Sequence, residues 1–146
     1  MRFFDRSMAR AMLVDVADVE ESDQVRYVDV PYYDAVMLYA CRSYEHQDAV
    51  PELYNMLRCT ERISEYNKIV ISYVEGRLFL VLASGRNLML CNSFDAVDFT
   101  TAEYFLFLAM KKFQLNPEVS TLYCRTPLTS EQELTLYRYF HSVERI

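Results

Sequence analysis

Residues 68–93 read KIVISYVEGRLFLVLASGRNLMLCNS, and this stretch decides the fold. It contains three runs, 68–74, 77–83 and 88–93, dominated by Ile, Val, Leu, Phe and Tyr. Such residues fit the pleated, half-buried surface of a sheet. Glu75-Gly76 separates the first two runs and Ser84-Gly85-Arg86-Asn87 the last two, and both breaks have hairpin-turn chemistry. Connections this short leave three antiparallel neighbours.

Downstream, Thr100 stands three residues before Glu103, the pattern of a capping box, and opens a helix. Residues 104–110, YFLFLAM, are apolar on every face, so cover is expected on more than the sheet side. Asn116-Pro117 is expected to stop that helix. Residues 121–124 form a fourth strand, which a helical crossover should return parallel to one already in the sheet. A last helix follows, capped by Thr129 or Ser130, with Gln132 and Glu133 respectively three residues on. Leu134, Tyr137, Phe140 and Val143 form its expected apolar stripe.

Upstream, an acidic run over 15–23 reads as a solvated connector. Residues 25–30 alternate as a short strand ended by Pro31. Residues 35–41, AVMLYAC, are continuously apolar and suit a strand buried on both faces. Asp48 is the expected cap of a helix with Pro51 in its first turn. Leu53, Met56, Leu57, Thr60 and Ile63 line one face of it. The division expected is a poorly patterned 1–24, a strand-and-helix unit over 25–66, and the main unit over 67–146.

The chain has 146 residues, half of them apolar and a quarter charged, with a net charge of −6. That length buries an ordinary core without metal or disulfide staples. The negative balance argues against nucleic acid, since phosphate neutralisation needs clustered Lys and Arg. The one adjacent basic pair is Lys111–Lys112. Cys41, Cys59, Cys91 and Cys124 lie far apart, which suits buried, reduced thiols better than a zinc or redox site. Neither a signal peptide nor a run of the ~20 apolar residues of a membrane helix stands out. A cytoplasmic protein without membrane contact is expected.

The chemistry-bearing residues assemble into no complete catalytic site. A metal-dependent nuclease on such a sheet needs a carboxylate on its first strand, but the strand reads Ile69-Val70-Ile71-Ser72-Tyr73. Asp95, Asp98 and Glu103 read as loop and helix-cap acids. The only histidines, His46 and His141, read as surface groups, one in a loop and one near the end of the last helix. Cys41 with His46 is too weak a pattern for a nucleophile and base. Gly76 and Gly85 are the only glycines, so no phosphate-cradling glycine loop can be assembled. Aromatics make up 14% of the chain. Tyr32-Tyr33 and Tyr137-x-Tyr139-Phe140 exceed what one face of each element can bury. They read either as ordinary core with a few exposed rings or as an interface, for which Tyr32, Tyr33, Tyr137, Tyr139 and Phe140 are the candidates.

At Asp34-Ala35-Val36-x-x-Tyr39-Ala40, Leu88-Met89-Leu90-Cys91-Asn92-Ser93-Phe94 and Gln114-Leu115-Asn116-Pro117-Glu118 the chain resembles a bacterial family, the domain-of-unknown-function 3822 family. The resemblance covers roughly residues 25–146. It implies the actin-like ATPase fold, in which two ribonuclease H-like halves enclose a nucleotide. Members of that family are longer, so 25–66 is expected to be the remnant of a truncated first half, and 67–146 the second.

The resemblance also implies where nucleotide would sit, and the chain departs from it there. The first hairpin, Tyr73-Val74-Glu75-Gly76-Arg77, has one glycine and no Asp where an actin-like phosphate loop has several glycines and an Asp. The loop after the fourth strand is Cys124-Arg125-Thr126-Pro127 where a glycine-rich adenosine loop is the rule. The expectation is therefore a protein that needs no cofactor and acts by association, with a protein partner or as a homo-oligomer. The alternative is an ATPase half completed by a partner chain, binding ATP with magnesium through Gly76 and Arg77.

Overall fold

The structure is a computed structural model that describes residues 4–41 and 50–146. Asp48, with the cap expected of it, and His46, with its pairing to Cys41, lie outside those residues.

The chain is a mixed α/β protein with a mixed five-stranded sheet. Strands β3 (Asn67–Val74), β4 (Arg77–Ser84) and β5 (Asn87–Asp95) form the expected antiparallel meander. Glu75 (φ 50°) and Gly76 (φ 72°) are both left-handed, the backbone a two-residue hairpin requires. At the second turn Gly85 (φ 57°) lies under Tyr66, where a Cβ would stand 2.9 Å from the ring.

Strand β6 (Thr121–Cys124) runs parallel to β3, with Ile69 opposite Leu122. A fifth strand that the sequence did not announce, β7 (Ser142–Arg145), runs parallel to β6 and completes the order β5-β4-β3-β6-β7. The sheet is therefore not limited to the three antiparallel strands and one returning strand expected.

Helix α3 (Phe99–Lys112) links β5 to β6, and α4 (Ser130–Tyr137) links β6 to β7. Both pack on one face, where Leu106, Met110, Leu136 and Phe140 meet Ile69, Ile71, Leu80 and Leu122. The cap of α3 is Asp98, whose carboxylate accepts from the Thr101 N–H at 2.8 Å, so Thr100–Glu103 is not the capping box. The backbone and side chain of Thr101 both donate to Asp98 and hold its carboxyl below the usual range. The helix ends before Asn116, with Gln114 left-handed at φ 58°.

Thr129 and Gln132 form a true capping box on α4. The stripe expected of α4 is not its buried face. Leu134 and Tyr137 face solvent, Leu136 is the buried residue, and Val143 belongs to β7. The helix stops at Tyr137, so a three-residue spacing that runs past it describes no helical face.

The opposite face of the sheet carries α2 (Glu52–Thr60) and a two-stranded ribbon, β1 (Gln24–Val30) with β2 (Ala35–Cys41). Met56, Leu57 and Ile63 pack with Val30, Val70 and Val81. The apolar run of β2 is half-buried rather than covered on both faces, because it sits in this ribbon and not in the main sheet. The short helix α1 (Ala9–Val14) lies against the ribbon. Its Arg10 donates to the carbonyls of Asp23 (2.7 Å), Glu20 (2.7 Å) and Glu21 (3.1 Å), so the end of the acidic run is fastened while Asp15 and Asp18 stay exposed, as expected.

Ser72, fully buried on β3, has a hydroxyl with no partner among the described residues. An unsatisfied buried hydroxyl costs about 1–3 kcal/mol. Ser72→Ala is expected to raise the stability by about 1 kcal/mol in urea titration. A loss of stability would mean that the hydroxyl has a partner.

Candidate functional site

The tip of the β3–β4 hairpin is built into the fold. The Gly76 carbonyl accepts from the Ala96 N–H at 2.8 Å. Arg77 reaches along the sheet, donating to Asp95 at 2.8 Å and Ser93 at 3.1 Å. The loop after β6 is tied to the end of β3 as well. The Arg125 N–H bonds to the Ile71 carbonyl at 3.0 Å, and the Tyr73 N–H to the Thr126 hydroxyl at 2.9 Å. Gly76, Arg77 and this loop thus serve the sheet end itself.

The three neighbouring acids go separate ways. Asp95 pairs with Arg77, Asp98 caps α3, and Glu103 accepts the hydroxyl of Thr135 on α4. Among the described residues no three of His, Cys, Asp and Glu are gathered as metal ligands would be. His141 lies in the loop before β7, not on α4, with its backbone N–H shared between the carbonyls of Pro117 and Ser120. All four thiols are free. Burial pushes Cys91 up to about 11 and Cys124 up to about 12, which suits inert thiols.

The five candidate aromatics divide. Phe140 is in the core. Tyr33 is half-buried, with its hydroxyl on Thr60 Oγ1. Because Thr60 already donates to the Leu57 carbonyl, Tyr33 is the donor. Desolvation pushes its phenol above the usual range. Tyr32 packs edge-on to Tyr33, accepts from Lys68 Nζ, and has the Arg86 guanidinium 4.8 Å above its ring. Lys68 itself is buried, so the Tyr32-Tyr33 pair fastens the ribbon turn to the sheet and α2. Only Tyr137 and Tyr139 open widely to solvent, at 51% and 52%.

A second surface is apolar as well. Helix α3 presents Tyr104 (61% exposed) and Leu108 (50%) outward. On one side Phe107 packs on Tyr139 with ring centroids 4.8 Å apart. On the other, Phe105 stacks on Phe94 at 4.9 Å and 11°. There the helix and β5 bound an open apolar groove of about 270 Å³ lined by Leu90, Phe94, Leu108 and Phe113. The all-round apolar run 104–110 was the signal for this face, but the expected cover is missing from it among the described residues.

The family described as protein of unknown function, DUF3822, matches residues 2–143. The chain belongs to the DUF3822 family. No curated protein matches it. A Bacteroides thetaiotaomicron crystal structure, of a protein with actin-like ATPase fold and unknown function, is similar at a TM-score of 0.76 and 16% identity. The alignment takes in 99% of the DUF3822 chain and 62% of that protein, so the chain spans less than two thirds of its neighbour. At that identity the likeness establishes the fold alone. Among the described residues no helix is long and apolar enough to cross a membrane.

Proposed function

We propose that this DUF3822 chain is a non-catalytic, actin-like-fold protein that acts by association, as a scaffold or subunit of a larger assembly. The observation that carries the reading is the outer face of α3, where Tyr104 and Leu108 stand in solvent, Leu108 at the rim of the apolar groove and Tyr139 exposed on the far side of the helix. Contiguous apolar patches of more than a few hundred Å² are rare on soluble monomers and mark interfaces. Tyrosine is enriched at such surfaces because its ring is apolar and its hydroxyl tolerates water.

The strand order, three antiparallel strands followed by two parallel ones on the far side of β3, supports reading 67–146 as a ribonuclease H-like half. The ribbon is a two-stranded sheet of its own, which supports reading 25–66 as part of the other half. The commitment of Gly76 and Arg77 to the sheet end weighs against a phosphate loop there.

Light scattering at about 100 µM is expected to give more than the monomer mass, and Tyr104→Ser with Leu108→Asp to restore the monomer. A wild-type monomer, or an assembly indifferent to both substitutions, would overturn the reading. Millimolar ATP with magnesium is expected to leave the melting temperatures of wild type and of Arg77→Gln each unchanged. A rise of several degrees that Arg77→Gln abolishes would favour the ATPase-half alternative, since a ligand at ~100 times its Kd adds about 2.7 kcal/mol.

A further inference from the structure

On the sheet face away from α3, three guanidinium groups line one open pocket of about 320 Å³. Arg58 is in the last turn of α2, Arg62 lies in the turn just past its end, and Arg125 follows β6. Arg125 Nη1 lies 3.5 Å and Arg62 Nη2 3.3 Å from the same atom, the buried Cys59 Sγ. Those two nitrogens are therefore separated by no more than the sum of the two contacts. Thiol sulfur is a weak acceptor, so it positions the pair without satisfying either charge.

Carboxylates compensate the cluster only in part. Glu52 takes Arg125 Nε at 2.6 Å, and Glu61 takes Arg58 at 3.4 Å. Arg62 has no carboxylate among the described residues. Three of the 15 basic residues in a chain of net charge −6 thus converge on one concavity with charge left over.

We propose that this pocket binds a small phosphate-bearing anion. A phosphoryl group presents several strong acceptor oxygens at tetrahedral directions, which suits guanidinium forks arriving from both α2 and β6. A single carboxylate would leave one fork unused. The oxygens replace the sulfur as acceptor between Arg62 and Arg125, and the existing Arg125–Glu52 bond keeps the fork aimed. The site is separate from the β3–β4 hairpin and does not depend on the association reading.

The test is titration with inorganic phosphate and with pyrophosphate at low ionic strength, followed through the arginine side-chain N–H resonances. The expected result is saturable movement of the Arg62 and Arg125 signals. Arg62→Gln, an exposed substitution that leaves the fold intact, is expected to weaken binding by about tenfold or more. Arg77→Gln, at the hairpin, is expected to bind as wild type. Signals that do not move with either anion would overturn the proposal. So would an Arg62→Gln protein that binds like wild type, or loss of binding in Arg77→Gln.

Discussion

Truncation of Leu106 to alanine is expected to lower the free energy of unfolding by about 2–5 kcal/mol. Leu106 is 1% exposed, in the middle of α3 and in one cluster with Ile69, Ile71, Leu80 and Leu122. Alanine there loses the transfer free energy of the removed atoms and leaves a cavity between helix and sheet that the strands cannot collapse to fill. The control is Tyr104→Ala two positions earlier, on the solvent face, which is expected to change stability by no more than about 0.5 kcal/mol. Urea denaturation of both variants measures the orientation of α3. Equal losses would mean that the helix is rotated or covered on its outer side. The control is measured at dilution, where any assembly through Tyr104 is dissociated.

The second large effect is expected at Tyr33. This ring is half-buried against the ribbon and α2, and its hydroxyl donates to Thr60. Complete removal of a buried aromatic costs about 3–5 kcal/mol, so Tyr33→Ala is expected to cost about 2–3 kcal/mol. Tyr33→Phe keeps the packing and loses one hydrogen bond, and about 1 kcal/mol is expected. Denaturation of the isolated chain is the measurement. If Tyr33 served an interface instead, its truncation would shift the association equilibrium and leave the dilute monomer as stable as before.

The β3–β5 meander was legible because turn chemistry and strand propensity agreed at each break. Glu75-Gly76 and Gly85 sit where left-handed backbone is required, so nothing competed with the reading. The strand Thr121–Cys124 was legible for a similar reason, since Pro117 and Pro127 bracket a short apolar segment.

Where two local signals competed, tertiary context chose. Asp98 and Thr100 are both good caps for α3, and the carboxylate two residues earlier captured the Thr101 N–H. Strand β7 was hidden because its four residues include Glu144 and Arg145 and lack an apolar run. It forms by pairing with β6, and pairing between distant segments leaves no local mark.

The aromatic candidates show the same limit. Tyrosine composition signalled more rings than the elements could bury, but not which ones. Tyr32 and Tyr33 are held against the fold and partly covered through Lys68 and Thr60, partners 36 and 27 residues away. Phe140 was withdrawn by the core under β7. The open face of α3 was visible only as an apolar run whose cover had to come from somewhere.

The parallel pairing of β3 with β6 also dictates the order in which the molecule can be finished. One edge of β3 is closed at once by its hairpin partner, but the other waits for a strand whose contacts span 53 residues. At a ribosomal rate of about 5–20 residues per second, that edge stays open for roughly 3–10 s while the nascent chain lengthens. The meander folds locally in far less time, so it stands half-made on the ribosome with Ile69 and Ile71 facing water. Any pause in translation between Asp95 and Thr121 prolongs the interval in which another nascent chain, or a chaperone, can take the place reserved for β6.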